Sequence, residues 1–503
     1  MARRVLAASG LVLLLALPRV ARLLYPQVWI EDDSYIHGAF LLTRGYLPYR
    51  DFPLPHFPLL EYAMAAIFRV APVTIRTAEL FTAAAAFASS LLVFSIGRRL
   101  DGPATGLLAA VVFATSDLLF RYHVFEREVF LIVPVLAAVR LLMPNRRTPA
   151  PASSAIAAGA LLACAMAIKL TAVATLIATI GWLVADGGRR SAARVAATTA
   201  ALLGAAACAL AWRFGLDFLV QVFLFRVVHA TFPSIGVKVD EVRYTLDVSL
   251  ALGVAGLGLI AWRGDGRRWL GPLLQLATGV LVLIVLNPTF WAHTGIELLP
   301  WLALLSGHLL AATWRAVSGS ARGRAAPLVC TMAAAALLAS IVPLRNVNWQ
   351  PGEDTAYGFG YRDRAELDAM GAFVRTHSAA DATVATPPII AFVANRAEVI
   401  PYPEVAGTID ELTTAVRRDG VWRAIARAAA EPLSFWDSVE ASRDHMAPRL
   451  DAAITAHRVA VVIDDSPDDL LAVPLVNLTP DRLSQSGYGL EWASAHYEAW
   501  VAK

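Results

Sequence analysis

Three carboxylates stand side by side at Glu31, Asp32 and Asp33, in the stretch WIEDDSYIHGAFLLTRGYLPYRDFPLPHFPLL that runs from Trp29 to Leu60. A carboxylate within hydrogen-bond reach of a hydroxyl can take its proton while that hydroxyl attacks, which speeds such a step by about 10²–10⁴-fold. His37 and His56 flank the acids, and Tyr35, Tyr46, Tyr49, Phe52 and Phe57 crowd the same loop. Pro48, Pro53, Pro55 and Pro58 hold this stretch in a fixed, extended path. The competing reading is a merely solvated acidic loop, which has no need of five aromatic residues.

Other charged groups interrupt apolar sequence. RYHVFEREVFLIVP, residues 121–134, brings Arg121, Glu126, Arg127 and Glu128 together. Its acids and arginine read either as site residues or as a local ion-pair cluster that fixes a loop. Lys169 sits inside LLACAMAIKLTAVATLI. An ionised group in such surroundings is costly and functional by default, unless it snorkels to the interface. His293 and Glu297 open a later apolar run, as site residues or as hydrogen-bonded structural ones. FRVVHATFPSIGVKVDEVRY adds Arg226, His229 and Lys238 in a segment too polar to span. That segment is a cover over a site or a solvated loop.

The elements that must position these residues are membrane helices. Of the 503 residues 57% are hydrophobic and 17% charged, against about 25% charged in soluble domains. A net charge of +3 is too small to imply nucleic acid as partner. Cys164, Cys208 and Cys330 all fall in apolar runs without metal or redox spacing, and are assigned to packing. A span needs about 20 apolar residues. Candidates are 5–24, 76–97, 103–119, 129–143, 153–168, 170–186, 195–212, 246–263, 270–287, 294–314 and 326–344. The first is expected to be a retained signal anchor rather than a cleaved leader. Arginine clusters at 3/4, 98/99, 146/147, 189/190/194, 263/267/268 and 315/322/324 mark alternate connections. Eleven spans with a cytoplasmic N-terminus place all of them inside, as the positive-inside rule requires. The acidic loop 25–75, the segment 120–128, the loop 213–245 and the tail then lie outside.

From about residue 345 the composition is that of a soluble domain. ATVAT and HRVAVVIDDSPDDLL read as short strands among helices. The expected fold class is an α-helical polytopic membrane protein of about eleven transmembrane helices with a C-terminal small α/β extracytoplasmic domain. The expected division is 1–344 and 345–503. The tail has no Cys, no Gly-rich phosphate loop and no clustered His, so no active site of its own is expected there.

The acidic pair, RGYLPYRDF, FPLLEYAMAAIF and IRTAELFTAAAAFASSLLVFSIGRRL together resemble the start of a membrane glycosyltransferase of the C-type fold. The pattern is similar to the protein O-mannosyltransferases and the aminoarabinose lipid A transferases, and to their bacterial homologues. The resemblance covers about residues 1–344. It implies sugar transfer from a polyprenyl-phosphate donor on the outer face of the plasma (inner) membrane, with an aspartate of the first outer loop as catalytic residue. It implies a second acidic position at Glu126 or Glu128. It also implies that Lys169 serves the donor phosphate, and NPTFWAHTGIELLPWLALLSG is similar to the family's late helix. Many homologues read Asp-Glu where this chain has Glu-Asp-Asp, so the base is assigned in the order Asp32, Asp33, Glu31.

The chemistry of such a transfer asks for the same residue types. The acceptor hydroxyl needs a base, and the departing phosphate needs positive charge rather than a strong acid. Lys169, Arg121 and Arg226, with Lys238 as a further candidate, are expected at the donor phosphate. Glu126, Glu128, Arg127, His37, His56 and His293 are expected at the acceptor, the sugar or a second acidic site. No cofactor is required by the sequence. A divalent cation is compatible with it, although no acid set for two metals is apparent. Expected partners are the lipid-linked donor, membrane lipids, and an acceptor that is a glycan, lipid or protein. Two other classes fit less well. A transporter or flippase usually shows repeated halves and midplane polar groups, and no internal repeat is found. A non-catalytic cell-envelope assembly protein does not need the intact acidic loop or Lys169.

Overall fold

The structure, a computed structural model, describes residues 2–25, 27–30, 33–143, 151–225, 235–286, 292–319, 360–399, 403–430, 447–465, 479–493 and 497–503. The chain forms two compact units, each discontinuous in sequence.

The first unit takes Met1–Leu24, Leu80–Ala206 and Pro233–Asn348. It is built of helices: Ala2–Leu23, Ile75–Asp101 from Leu80 on, Pro103–Ala114, Asp117–Arg121, Arg127–Leu142, Ala152–Ile168, Val173–Ala185, Arg189–Phe214 up to Ala206, Ile235–Arg263, Gly266–Gly279 and Leu299–Gly319. A π-helical stretch, Val280–Leu286, prolongs the Gly266 helix. Helices therefore occur at ten of the eleven predicted runs, and the run 326–344 lies outside the described residues. Among the described residues, three helices are long and apolar enough to cross a membrane: Ile75–Asp101, Arg189–Phe214 and Gly266–Leu286.

Local chemistry explains the boundaries. Gly102, at φ +102°, turns the chain after Asp101, and Pro103 opens the next helix, where its missing N–H costs nothing. The predicted 103–119 run breaks at Ala114 and restarts at Asp117, because Ser116 adopts an extended conformation. The predicted loop 213–245 is helical from Ile235 onward. The first turns of that helix carry Lys238, Asp240, Glu241 and Arg243, and a hydropathy pattern does not register a polar helical extension. Gly307 marks a close helix crossing: a Cβ there would lie 2.5 Å from the Ala109 nitrogen and 2.7 Å from the Thr105 carbonyl oxygen.

The second unit takes Tyr25–Glu79, Ala207–Phe232 and Trp349–Lys503. Two antiparallel strands, β1 (Gln27–Ile30) and β2 (Gly360–Asp363), pair with Gln27 opposite Asp363 and Ile30 opposite Gly360. The strands β3 (Thr383–Ala385), β4 (Ala397–Glu398), β5 (Val459–Asp465), β6 (Tyr488–Ala493) and β7 (Tyr497–Ala502) form one mixed sheet in the order β4-β3-β5-β7-β6. β3 is parallel to β4 and β5, whereas β7 is antiparallel to β5 and β6. Leu450, Ile454, Val459, Val462, Leu483, Tyr488 and Trp500 fill the core on this sheet. The Tyr488 hydroxyl is satisfied by donating to the Val459 carbonyl at 2.6 Å. Helices Asp33–Thr43 and Leu59–Phe68 complete the unit around Phe392, whose ring meets Phe40 and Phe68 at 6.4 and 5.7 Å.

Candidate functional site

In the first unit, three segments that are far apart in sequence bring their charged residues together. Phe125, at φ +52°, turns the backbone into the helix Arg127–Leu142. Its N–H donates to Thr82 Oγ1 at 3.0 Å. Glu126 caps that helix by accepting from the Arg127 N–H at 3.1 Å, and Glu128 lies in its first turn. Acids are favoured there because the free N–H groups of a helix start carry partial positive charge. Arg127 is buried and donates Nη1 to the Ile168 carbonyl at 2.9 Å, so it satisfies an acceptor left open where the helix Ala152–Ile168 ends.

That helix ends because Lys169 adopts an extended conformation, φ −153° and ψ 129°. Its ammonium donates to Glu128 Oε1. Thr171, two residues on, donates to Glu297 Oε1 at 2.6 Å. His293, from the 3₁₀ turn Ala292–Glu297, places Nε2 3.6 Å from Glu128 Oε1, and its ring meets Tyr122 edge-on at 5.7 Å. Lys169 is only 14% exposed at its side chain and Glu128 is fully buried.

One ligand atom from each of Glu126, Glu128 and His293 lies within 4.8 Å of the others. Two carboxylates and an imidazole are a donor set that suits a divalent cation. Glu128 Oε2 and Thr294 Oγ1 are buried without a hydrogen-bond partner among the described residues, which leaves acceptor capacity at this point. The residues present thus fit a cation, and the lysine already supplies one positive charge to the same carboxylate.

Two arginines that sequence reasoning passed over, Arg19 and Arg22, bond backbone carbonyls between Ala114 and Phe120. Arg19 donates Nη1 to Leu119 O at 2.7 Å and Nη2 to Ala114 O. Arg22 donates Nε to Phe120 O at 2.8 Å and stacks over the Phe120 ring at 5.0 Å. They satisfy the Ala114 carbonyl at the break and the Leu119 and Phe120 carbonyls of the short helix that follows it. Two arginines three apart in an apolar helix were the available signal, since intramembrane charge seldom lacks a purpose. Arg121 is paired with Asp117 on its own short helix at 3.0 Å. Lys238 is buried and donates to the Ile284 carbonyl at 3.2 Å.

In the second unit the loop after the acids is folded rather than solvated. Tyr49, Phe52, Leu54 and Phe57 are all buried. Gln221 accepts from the Leu54 N–H at 2.8 Å and donates to the Tyr49 carbonyl at 3.0 Å, closing the loop from one side chain. Tyr35 Oη lies 2.8 Å from His56 Nε2, and Tyr49 Oη donates to the His56 carbonyl at 2.6 Å. Asp51 is held below the usual carboxylate range by its hydrogen bonds from Arg50 and by the Leu47 N–H. Asp33 is the first residue of the helix Asp33–Thr43. Glu31, Asp32, Arg226 and His229 lie outside the described residues. His37 is turned to Glu398 at 3.1 Å.

Of the predicted residues, then, Glu126, Arg127, Glu128, Lys169 and His293 come together in the first unit. His37, His56 and the start of the Asp33 helix belong to the second.

Comparison with known proteins bears on what such a frame is. Residues 54–212, about a third of the chain, match the model of the family described as dolichyl-phosphate-mannose-protein mannosyltransferase. No curated protein matches the sequence. Among solved structures, ArnT from Cupriavidus metallidurans in the apo state aligns over 98% of both chains, with a TM-score of 0.66 at 11% identity. The same protein bound to undecaprenyl phosphate aligns over 98% of this chain and 97% of that one, with a TM-score of 0.59 at 13% identity. The oligosaccharyltransferase AglB from Archaeoglobus fulgidus, with an inhibitory peptide and a dolichol-phosphate, covers 91% of this chain and 69% of its own, at a TM-score of 0.55 and 13% identity. The chain therefore has the GT-C fold of ArnT and AglB, and over residues 54–212 it carries the sequence pattern of the protein O-mannosyltransferase family.

Proposed function

We propose that the chain is an integral-membrane glycosyltransferase that moves a sugar from a polyprenyl-phosphate donor to an acceptor hydroxyl. The observation that carries this reading is end-to-end likeness of fold to ArnT, which has been seen with undecaprenyl phosphate bound. The Glu128–Lys169 pair, with its carboxylate fully buried and His293 beside it, supports the reading, since buried charge of this kind is seldom kept for stability alone.

In the proposed reaction the acceptor oxygen attacks the anomeric carbon from the face opposite the phosphate, so the configuration inverts. The new carbon–oxygen bond forms as the bond from the anomeric carbon to the phosphate oxygen breaks. Asp32 takes the acceptor's proton, with Asp33 and then Glu31 next in order. The electron pair of the broken bond stays on the polyprenyl phosphate. Lys169, with Arg121 and Arg226, offsets that charge as it develops, and a fixed donor in a dry site is worth about 3–4 kcal/mol to such a step. Where a divalent cation binds, Glu126, Glu128 and His293 hold it, and it supplies further positive charge. The reading places the reaction on the extracytoplasmic face, with eleven spans in 1–344, a cytoplasmic N-terminus, and residues 345–503 outside.

The test is transfer itself. Purified full-length protein in proteoliposomes receives labelled polyprenyl-phosphate sugars and a membrane extract. The expected result is label in the extract and free polyprenyl phosphate released one for one. Release from none of the donors contradicts the proposal.

A further inference from the structure

The carboxylates have a clamp on each side of them in the chain, and both clamps belong to the C-terminal segment. Before them, β1 is bonded along its length to β2. After them, the helix Asp33–Thr43 lies on the turn that joins the helix Pro388–Ala394 to β4. Three contacts fix it there. His37 Nδ1 faces Glu398 Oε2 at 3.1 Å, and His37 Nε2 faces the Arg396 carbonyl at 3.3 Å. Arg44, just past the helix, donates to the Asn395 carbonyl at 3.3 Å. His37 is 1% exposed, and both of its ring nitrogens are directed at protein acceptors. It is not placed to meet a substrate.

The two clamps are one piece. β2 runs directly into the helix Arg364–Thr376, whose Asp363 caps it by accepting from the Ala365 N–H. The far end of that helix is tied to the same turn: the Arg396 guanidinium donates to Ser378 O at 2.8 Å and to Ser378 Oγ at 2.9 Å. Arg364 donates to the buried Glu79 at 2.6 Å, where the helix Ile75–Asp101 starts. A closed circuit thus runs from β1 through β2, the Arg364 helix and the Arg396 turn to His37. The residues on either side of the acids can shift only if part of that circuit gives way.

From this we infer that the C-terminal domain is a positioning element for the first-loop carboxylates, and that His37 and Glu398 are its positioning residues. The inference rests on the proposed function, in which one of those carboxylates is the base. It gives the tail, in which no site of its own is expected, a part in the reaction. General-base catalysis needs the carboxylate held at hydrogen-bond distance, and misplacement by about 1 Å costs on the order of 10²-fold.

The experiment compares full-length wild type, Glu398→Ala, Glu398→Gln and His37→Asn in lipid nanodiscs. Two quantities are read: kcat and donor KM for sugar transfer, and amide hydrogen exchange of residues 25–43. Glu398→Ala is expected to lower kcat by about 10- to 100-fold with donor KM nearly unchanged, and to speed exchange in that segment. Glu398→Gln, which keeps the side chain's length and an oxygen facing the imidazole, recovers much of both. Should the alanine variant fail to fold, His37→Asn gives the same comparison. Exchange at the wild-type rate, or faster exchange with unchanged kcat, overturns the inference. If wild type releases no polyprenyl phosphate the transferase reading falls, and exchange alone then decides whether the clamp exists.

Discussion

A lysine ammonium among apolar helices is stable only when something answers its charge, and Lys169 is answered by Glu128. The lysine stands at the one extended residue between two helices, so its backbone as well as its side chain is specified. Arg127 anchors the same junction from the other side through the Ile168 carbonyl. Lys169→Met is therefore expected to lower kcat by about 10²–10³-fold through the lost stabilisation of the departing phosphate. It also leaves Glu128 buried without its partner, and Glu128→Gln in the same chain should restore folding yield but not kcat. Steady-state kinetics of the single and double variants check this. A double variant that regains wild-type kcat removes the lysine from the reaction.

The elements are set by small residues and by carbonyls that need partners. Gly307 lets its helix approach Ala109 and Thr105 closely, where the Ala109 nitrogen and Cβ and the Thr105 carbonyl oxygen face it and no flexible side-chain tip does. Gly307→Val is expected to cost about 1–3 kcal/mol or to prevent assembly, because backbone cannot yield as a side-chain tip can. Thermal unfolding in detergent measures it, and an unchanged midpoint contradicts the close crossing. Long apolar runs made most helices readable from sequence, and short apolar runs did the same for β3 and β5. What it could not show were the features made by long-range pairing. β1 is four residues whose partner lies more than three hundred residues on. The Ala114 carbonyl at the 114–116 break, and the Leu119 and Phe120 carbonyls after it, are bonded by Arg19 and Arg22 from the first helix. His37 gives no sequence sign that it would face Glu398. The Glu126–Glu128–Lys169–His293 group was nominated from residue type and resemblance. Its convergence depends on three chain segments that no local pattern connects.

At the scale of the molecule, the GT-C fold supplies the frame and the chain's own residues supply what is particular to it. The two compact units divide the candidate chemistry, with the buried carboxylate–lysine–histidine group in one and the acid loop with its clamp in the other. Each group stands on contacts inside its own unit, so each can be tested by substitutions that leave the other intact. The central claim is that a first-loop aspartate takes the acceptor's proton. The direct measurement is the initial rate of sugar transfer from a labelled polyprenyl-phosphate donor by Glu31→Gln, Asp32→Asn and Asp33→Asn beside wild type. The account predicts a fall of about 10²–10⁴-fold for Asp32→Asn, with donor binding kept, and smaller losses for the other two. Transfer by Asp32→Asn at the wild-type rate would contradict it.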